Sequence, residues 1–135
     1  MKKMRLLNSE ISYEVAKLGH TDHICIGDAG LPIPAGVKRI DLALERNIPT
    51  FMGTLDVILD EMQVEEAIIA SEMKELSPKL YTELLDLLNK KCQGIKIEEI
   101  PHSQLKKTSR ESKAVIRTGE CTPYANIILK SGVAF

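Results

Sequence analysis

Much is missing from this chain of 135 residues. It has no tryptophan, three tyrosines and two phenylalanines, so no ligand can rest on a tryptophan platform. It has no excess of one charge: 18 Lys and Arg stand against 19 Asp and Glu, a formal net charge of −1. That removes the basic field a nucleic-acid partner needs. Lys2, Lys3 and Arg5 are too few to be more than a solvated N-terminus. No apolar run approaches the ~20 residues of a membrane span. Asn8, Ser9 and Glu10 interrupt any signal-peptide core, so a cytoplasmic location is expected. The three cysteines, Cys25, Cys92 and Cys121, are odd in number and far apart. They form neither a CxxC pair nor a disulfide framework. Cys25, inside an apolar run, reads as a small buried hydrophobe. Neither GxxxxGK[ST] nor GxGxxG occurs, so no phosphate loop is expected. His20 and His23 stand three apart, but no compact group of carboxylates or cysteines joins them. Neither a metal nor any other cofactor is expected.

What is present is a core. Apolar residues make up 44% of the chain, and a domain of this size buries about two-thirds of its unfolded surface. One domain spanning 1–135 is expected. Asn8 or Ser9 can cap a first helix with Leu7, Ile11, Val15 and Leu18 on one face, and Gly19 can stop it. Ile24 to Gly27 reads as a buried strand, 31–36 as a loop, and 37–44 as holding a second strand. Leu55, Ile58, Leu59 and Met62 follow helical spacing. Ala67 to Ala70 is another buried strand. Ser77-Pro78 suits the start of a helix bearing Leu80, Leu84, Leu87 and Leu88. Ile95 and Ile97 alternate with polar neighbours, 101–107 reads as a short helix or loop, and 114–116 and 127–129 close the series as strands. Helices alternating with strands predict an α/β fold of three layers. Its central sheet is mostly parallel or mixed, with helices on both faces.

Two blocks carry chemistry. The first is Gly19-His20-Thr21-Asp22, followed by a strand that delivers Asp28 into Ala29-Gly30-Leu31-Pro32. His20 is a proton carrier near neutrality, or a surface histidine that caps a helix. Asp28 binds ligand hydroxyls, or it accepts turn N–H groups. Both are expected where open α/β sheets keep their ligands. The second block is Arg117-Thr118-Gly119-Glu120 with Pro123-Tyr124-Ala125-Asn126. An internal pair between Arg117 and Glu120 is expected. Tyr124 and Asn126 suit sugar hydroxyls, and they are also ordinary turn residues. His23 reads as strand-entry packing, and His102, taken alone, as a surface residue.

These blocks, together with Leu7-Asn8-Ser9 and Ala114-Val115-Ile116, resemble the D-ribose pyranase family, relatives of the fucose mutarotases, over essentially the whole length. The resemblance implies an isomerase that converts the β-pyranose form of ribose to the furanose form used by a ribose kinase. It places the catalytic histidine on His20. It places substrate-binding residues on Asp28, His102, Tyr124, Ala125 and Asn126. It implies no metal or nucleotide, and a homo-oligomer, typically a decamer of two stacked pentamers. In that assembly the Tyr124–Asn126 segment lies near a neighbour's His20 and Asp28. Two alternatives stay open: a mutarotase for another sugar such as fucose, and a non-catalytic sugar-binding module associated with a transporter.

Overall fold

The computed structural model describes all of Met1–Phe135. The first helix, α1 (Ser9–Lys17), is capped by Asn8, whose side chain accepts the Ile11 N–H at 2.9 Å. It ends earlier than the glycine suggested. Leu18 is already extended (φ −62°, ψ 127°). Leu7 precedes the helix, so helical spacing does not govern it; it is exposed, and Leu6 enters the core instead. Next come β1 (His23–Gly27), β2 (Lys38–Asp41), α2 (Phe51–Ile58) and β3 (Val64–Ala70). Leu59 and Met62 lie just past the end of α2, yet both are buried. A short α3 (Met73–Leu76) leads into α4 (Pro78–Lys91), with proline in its first turn. Ser77 does not cap α4 with its side chain. Its hydroxyl donates to the Pro123 carbonyl at 2.7 Å and ties the helix to a distant loop. The chain continues through β4 (Lys96–Ile100), α5 (His102–Thr108), β5 (Ser112–Arg117) and β6 (Ile127–Ser131).

The six strands form one sheet in the order β2-β5-β1-β6-β3-β4. Every pairing is parallel except those of β6, which runs against both β1 and β3. The sheet is therefore mixed, with its reversed strand in the interior. Side-chain alternation divides the core between the two faces. Ile24, Ile26, Ala67, Ile69, Ile116 and Leu129 join a cluster of 22 buried residues supplied by α1, α2, α3 and α4. Cys25, Ile68, Val115 and Ile128 face the other way, into a cluster of 8 closed by Leu31 and by Leu105 of α5. The second face is thinly covered, by one short helix and a loop. Burial pushes the Cys25 thiol up to about 12, as befits a buried hydrophobe.

This topology sorts the chemistry by sheet edge. β1, β3, β4 and β5 all end at one edge, and β6 begins there. Asp28, His102 and Tyr124–Asn126 belong to that edge. His20 precedes β1 and lies at the opposite edge. The five residues of β1 separate the two edges by about 16 Å. His20 and Asp28 were expected to share a ligand edge; the strand between them forbids it within one chain. No helix is long and apolar enough to cross a membrane.

Candidate active site

At the ligand edge, Asp28 and Asn126 hold each other. The Asp28 N–H donates to Asn126 Oδ1 at 3.0 Å, and Asn126 Nδ2 donates to Asp28 Oδ2 at 3.0 Å. The other carboxylate oxygen accepts the Gly30 N–H at 2.8 Å. Asp28 is thus a turn residue that also holds the Asn126 side chain. Asn126 is fully buried. It reaches this position because Tyr124 adopts a left-handed φ of 63° and accepts the Asn126 N–H at 2.7 Å. Gly27 makes room: a Cβ there would stand 2.5 Å from Leu31 Cδ2 and 2.9 Å from Asn126 Oδ1.

His102 joins the group from α5. Its ring meets that of Tyr124 edge to face, with centroids 5.1 Å apart at 85°. Its backbone N–H donates to both oxygens of Glu72, at 2.9 and 3.1 Å. Burial lowers the His102 pKa and nearby Lys106 adds to this, against the opposing pull of Glu72 and Asp28. The ring is therefore neutral at pH 7, and its buried Nδ1 has no partner.

The segment 117–120 frames this edge in an unexpected way. Arg117 does not pair with Glu120. Parallel pairing puts Arg117 opposite Asp41, and its guanidinium binds that carboxylate at 3.1 Å and the Ala29 carbonyl at 2.9 Å. The buried Glu120 instead accepts the Phe51 N–H at the start of α2 (3.0 Å) and both the N–H and hydroxyl of Thr122 (3.2 and 2.7 Å). Burial alone would raise its pKa; the bonds from Thr122, Phe51 and Cys121 outweigh this and hold it low. Thr118 seals the β1–β5 junction by donating to the Gly27 carbonyl at 2.8 Å.

At the opposite edge, the Gly19–Asp22 turn presents His20. Asp22 accepts the Gly19 N–H at 2.9 Å. The turn is pinned to β6 by Thr21 N–H to the Ser131 carbonyl and Ser131 N–H to the Asp22 carbonyl. His20 is exposed, and its Nε2 lies 2.9 Å from Glu65. His23 is half-buried in β1, as strand-entry packing.

The larger concavities lie elsewhere. One of about 440 Å³ runs along α5 and another of about 390 Å³ lies beside the start of α4. Neither is lined by Asp28, His102, Tyr124 or Asn126. One chain therefore gathers Asp28, His102, Tyr124 and Asn126 at one edge and leaves His20 at the other. Two positions escaped sequence reasoning: Glu72, which anchors His102, and Glu65, which faces His20. Glu72 had a readable signal, because like Asp28 it is a carboxylate just past a buried strand.

The RbsD / FucU transport protein family matches residues 1–134. The chain belongs to this family. A D-ribose pyranase of Coprothermobacter proteolyticus is 59% identical over 135 residues, covering all of both chains. The structure of Bacillus subtilis RbsD complexed with D-ribose is 46% identical, covers all of both chains, and superposes with a TM-score of 0.93. The fucose mutarotase of Streptococcus pneumoniae, solved with L-fucose, is 22% identical over all of both chains with a TM-score of 0.87. At that identity it shows the shared fold. In this RbsD / FucU member the family match spans both sheet edges, the one bearing His20 and the one bearing Asp28.

Proposed function

We propose that this chain, working as one domain over 1–135, is a D-ribose pyranase. It interconverts the β-pyranose and β-furanose forms of the free sugar. The observation that carries this reading is the end-to-end 59% identity with a D-ribose pyranase. The chemistry asked of the residues is small. A base takes the proton of the anomeric hydroxyl while an acid protonates the ring oxygen, and the C–O bond between them breaks. A different hydroxyl then attacks the carbonyl and closes the smaller ring. Positioned proton transfer of this kind contributes about 10²–10⁴-fold.

In this reading His20 is the proton carrier for the ring oxygen. Asp28 accepts from sugar hydroxyls, and the buried Asn126 completes the binding edge by holding the Asp28 carboxylate. Neutral His102 and Tyr124 shape the pocket wall, with Ala125 packed behind them. The site takes the ring-closed sugar from one subunit's Asp28 edge and the proton from a neighbour's His20 edge. The separation of the edges within one chain supports this, as does the apolar surface left bare. Leu7, Tyr13, Leu44, Val133 and Phe135 are all exposed. An apolar groove of about 230 Å³ opens beside Leu7 and Val57. Such surface belongs at a contact. The Tyr124–Asn126 segment was expected beside a neighbour's Asp28; its bonds run to its own Asp28, so only His20 is assigned to the neighbour. A decamer built on that contact, acting in the cytoplasm ahead of a ribose kinase, completes the proposal.

Exchange NMR on D-ribose with catalytic amounts of protein tests it. Faster pyranose–furanose exchange is expected, and it should fall sharply in His20→Ala with the fold intact. Exchange of anomers alone would mark a mutarotase, and binding without exchange a sugar-binding module.

A further inference from the structure

The backbone is distorted on both sides of the His20–Glu65 contact. Thr21, beside His20, has φ 72°, a left-handed conformation that costs a β-branched residue. On the other side, β3 pairs Val64 with Ser131 and Glu66 with Lys130. Glu65 is the extra residue between them, a bulge in the ladder. Bulges of this kind re-aim a side chain. Gly132 lets the bulged backbone come close, because a Cβ there would lie 3.1 Å from Glu65 Cβ. The result is a carboxylate with one oxygen 2.9 Å from His20 Nε2 and the other 3.2 Å from Lys130 Nζ. Lys130 also reaches Glu66 at 3.5 Å, and Glu66 binds Lys96. The hydrogen bond from His20 is the main reason the Glu65 carboxyl sits below its usual range; burial opposes it and Lys130 assists. Glu65 is thus ionised at pH 7. An ionised carboxylate only accepts, so Nε2 must carry the hydrogen.

We propose that Glu65 is a positioning residue for His20: it keeps a hydrogen on Nε2 and turns Nδ1 toward the sugar. The imidazolium paired with Glu65 gives its Nδ1 proton to the ring oxygen, is left as the Nε2–H tautomer, and regains a proton on Nδ1 from the hydroxyl that closes the smaller ring. Lys130 keeps the Glu65 carboxylate in place by holding its second oxygen. This inference rests on the reading of His20 as proton carrier and adds to it the identity of the working nitrogen and the group that selects it.

The test uses the full-length protein with ¹⁵N-labelled histidine. Two-bond ¹H–¹⁵N spectra should show His20 of the wild type as the Nε2–H tautomer above its titration range. In Glu65→Gln the amide can donate to Nε2, so the Nδ1–H form should appear. The exchange rate at saturating ribose should fall about tenfold, a share of what proton transfer contributes, while ribose affinity stays level. A merely structural Glu65 would leave the tautomer unchanged. An Nδ1–H tautomer in the wild type overturns the proposal, as does a full rate in Glu65→Gln beside an inactive His20→Ala. A full rate in His20→Ala removes the reading of His20 and this inference with it. Should Glu65→Gln fail to fold, the wild-type spectrum decides alone.

Discussion

Of two carboxylates at the edge where β1 ends, one is proposed to bind and the other is structural. Asp28 presents a carboxylate whose two oxygens are already engaged by Gly30 and Asn126. An amide at position 28 can satisfy only one of those donors, since its NH₂ would face another N–H group. Asp28→Asn should therefore weaken ribose binding about tenfold, the loss of one charge-assisted bond, and unchanged affinity by calorimetry would leave Asp28 a turn residue only. Glu120 touches no proposed ligand; it joins α2 to the loop before β6. Glu120→Gln should cost about 1–3 kcal/mol at pH 7 by leaving buried donors ill-matched. Its folded-state pKa is depressed, so its stabilisation is present above the unfolded value of about 4.3 and is lost as pH falls through the folded value. The gap between the two proteins in urea melts should close in acid. The residue types of Asp28 and Asn126 marked them as polar groups at a strand end, and the structure brings the two together; nothing local to His20 told that it would stand at the opposite edge. The Arg117–Glu120 pairing was misjudged because strand register, which puts Asp41 beside Arg117, is not written locally.

At the level of elements, apolar runs placed β1, β3, β5 and β6, because buried strands have one composition whatever their neighbours. The largely exposed β4 showed only as alternation, and β2 only within 37–44. Direction was another matter. Nothing in Ile127-Ile128-Leu129 says that β6 runs against β1 and β3, and strand order depends on contacts remote in sequence. Helix ends were set by caps rather than by glycine, so α1 closed before Gly19. The β1–loop junction depends on a missing side chain. Gly27→Ala should push Leu31 and Asn126 apart, costing about 1–3 kcal/mol by overpacking and weakening ribose binding along with thermal stability. An alanine variant with wild-type melting and affinity would show that Leu31 yields without moving the site.

For the molecule as a whole, the separation of His20 from Asp28 makes assembly part of the proposed chemistry. His20→Ala and Asn126→Ala damage opposite edges. Mixed under conditions where subunits exchange, the two inactive proteins should regain part of the wild-type rate, because some contacts then join two intact halves. Exchange of subunits without recovery of rate would defeat the shared site, and a monomer in sedimentation experiments would defeat the oligomer.

The reversed strand gives this arrangement a direction. β6 starts beside Asn126 and finishes at Ser131, one residue past Lys130, so one strand links the end of a subunit proposed to bind the sugar to the end proposed to deliver the proton. Each subunit is polar, like a link with a hook and an eye. Joined in an open row, such links always leave one hook and one eye idle; closed into a ring, none is idle. Turnover per chain should then depend on ring closure as well as on each chain's fold. Diluting the protein until rings open should lower the specific rate while circular dichroism stays unchanged.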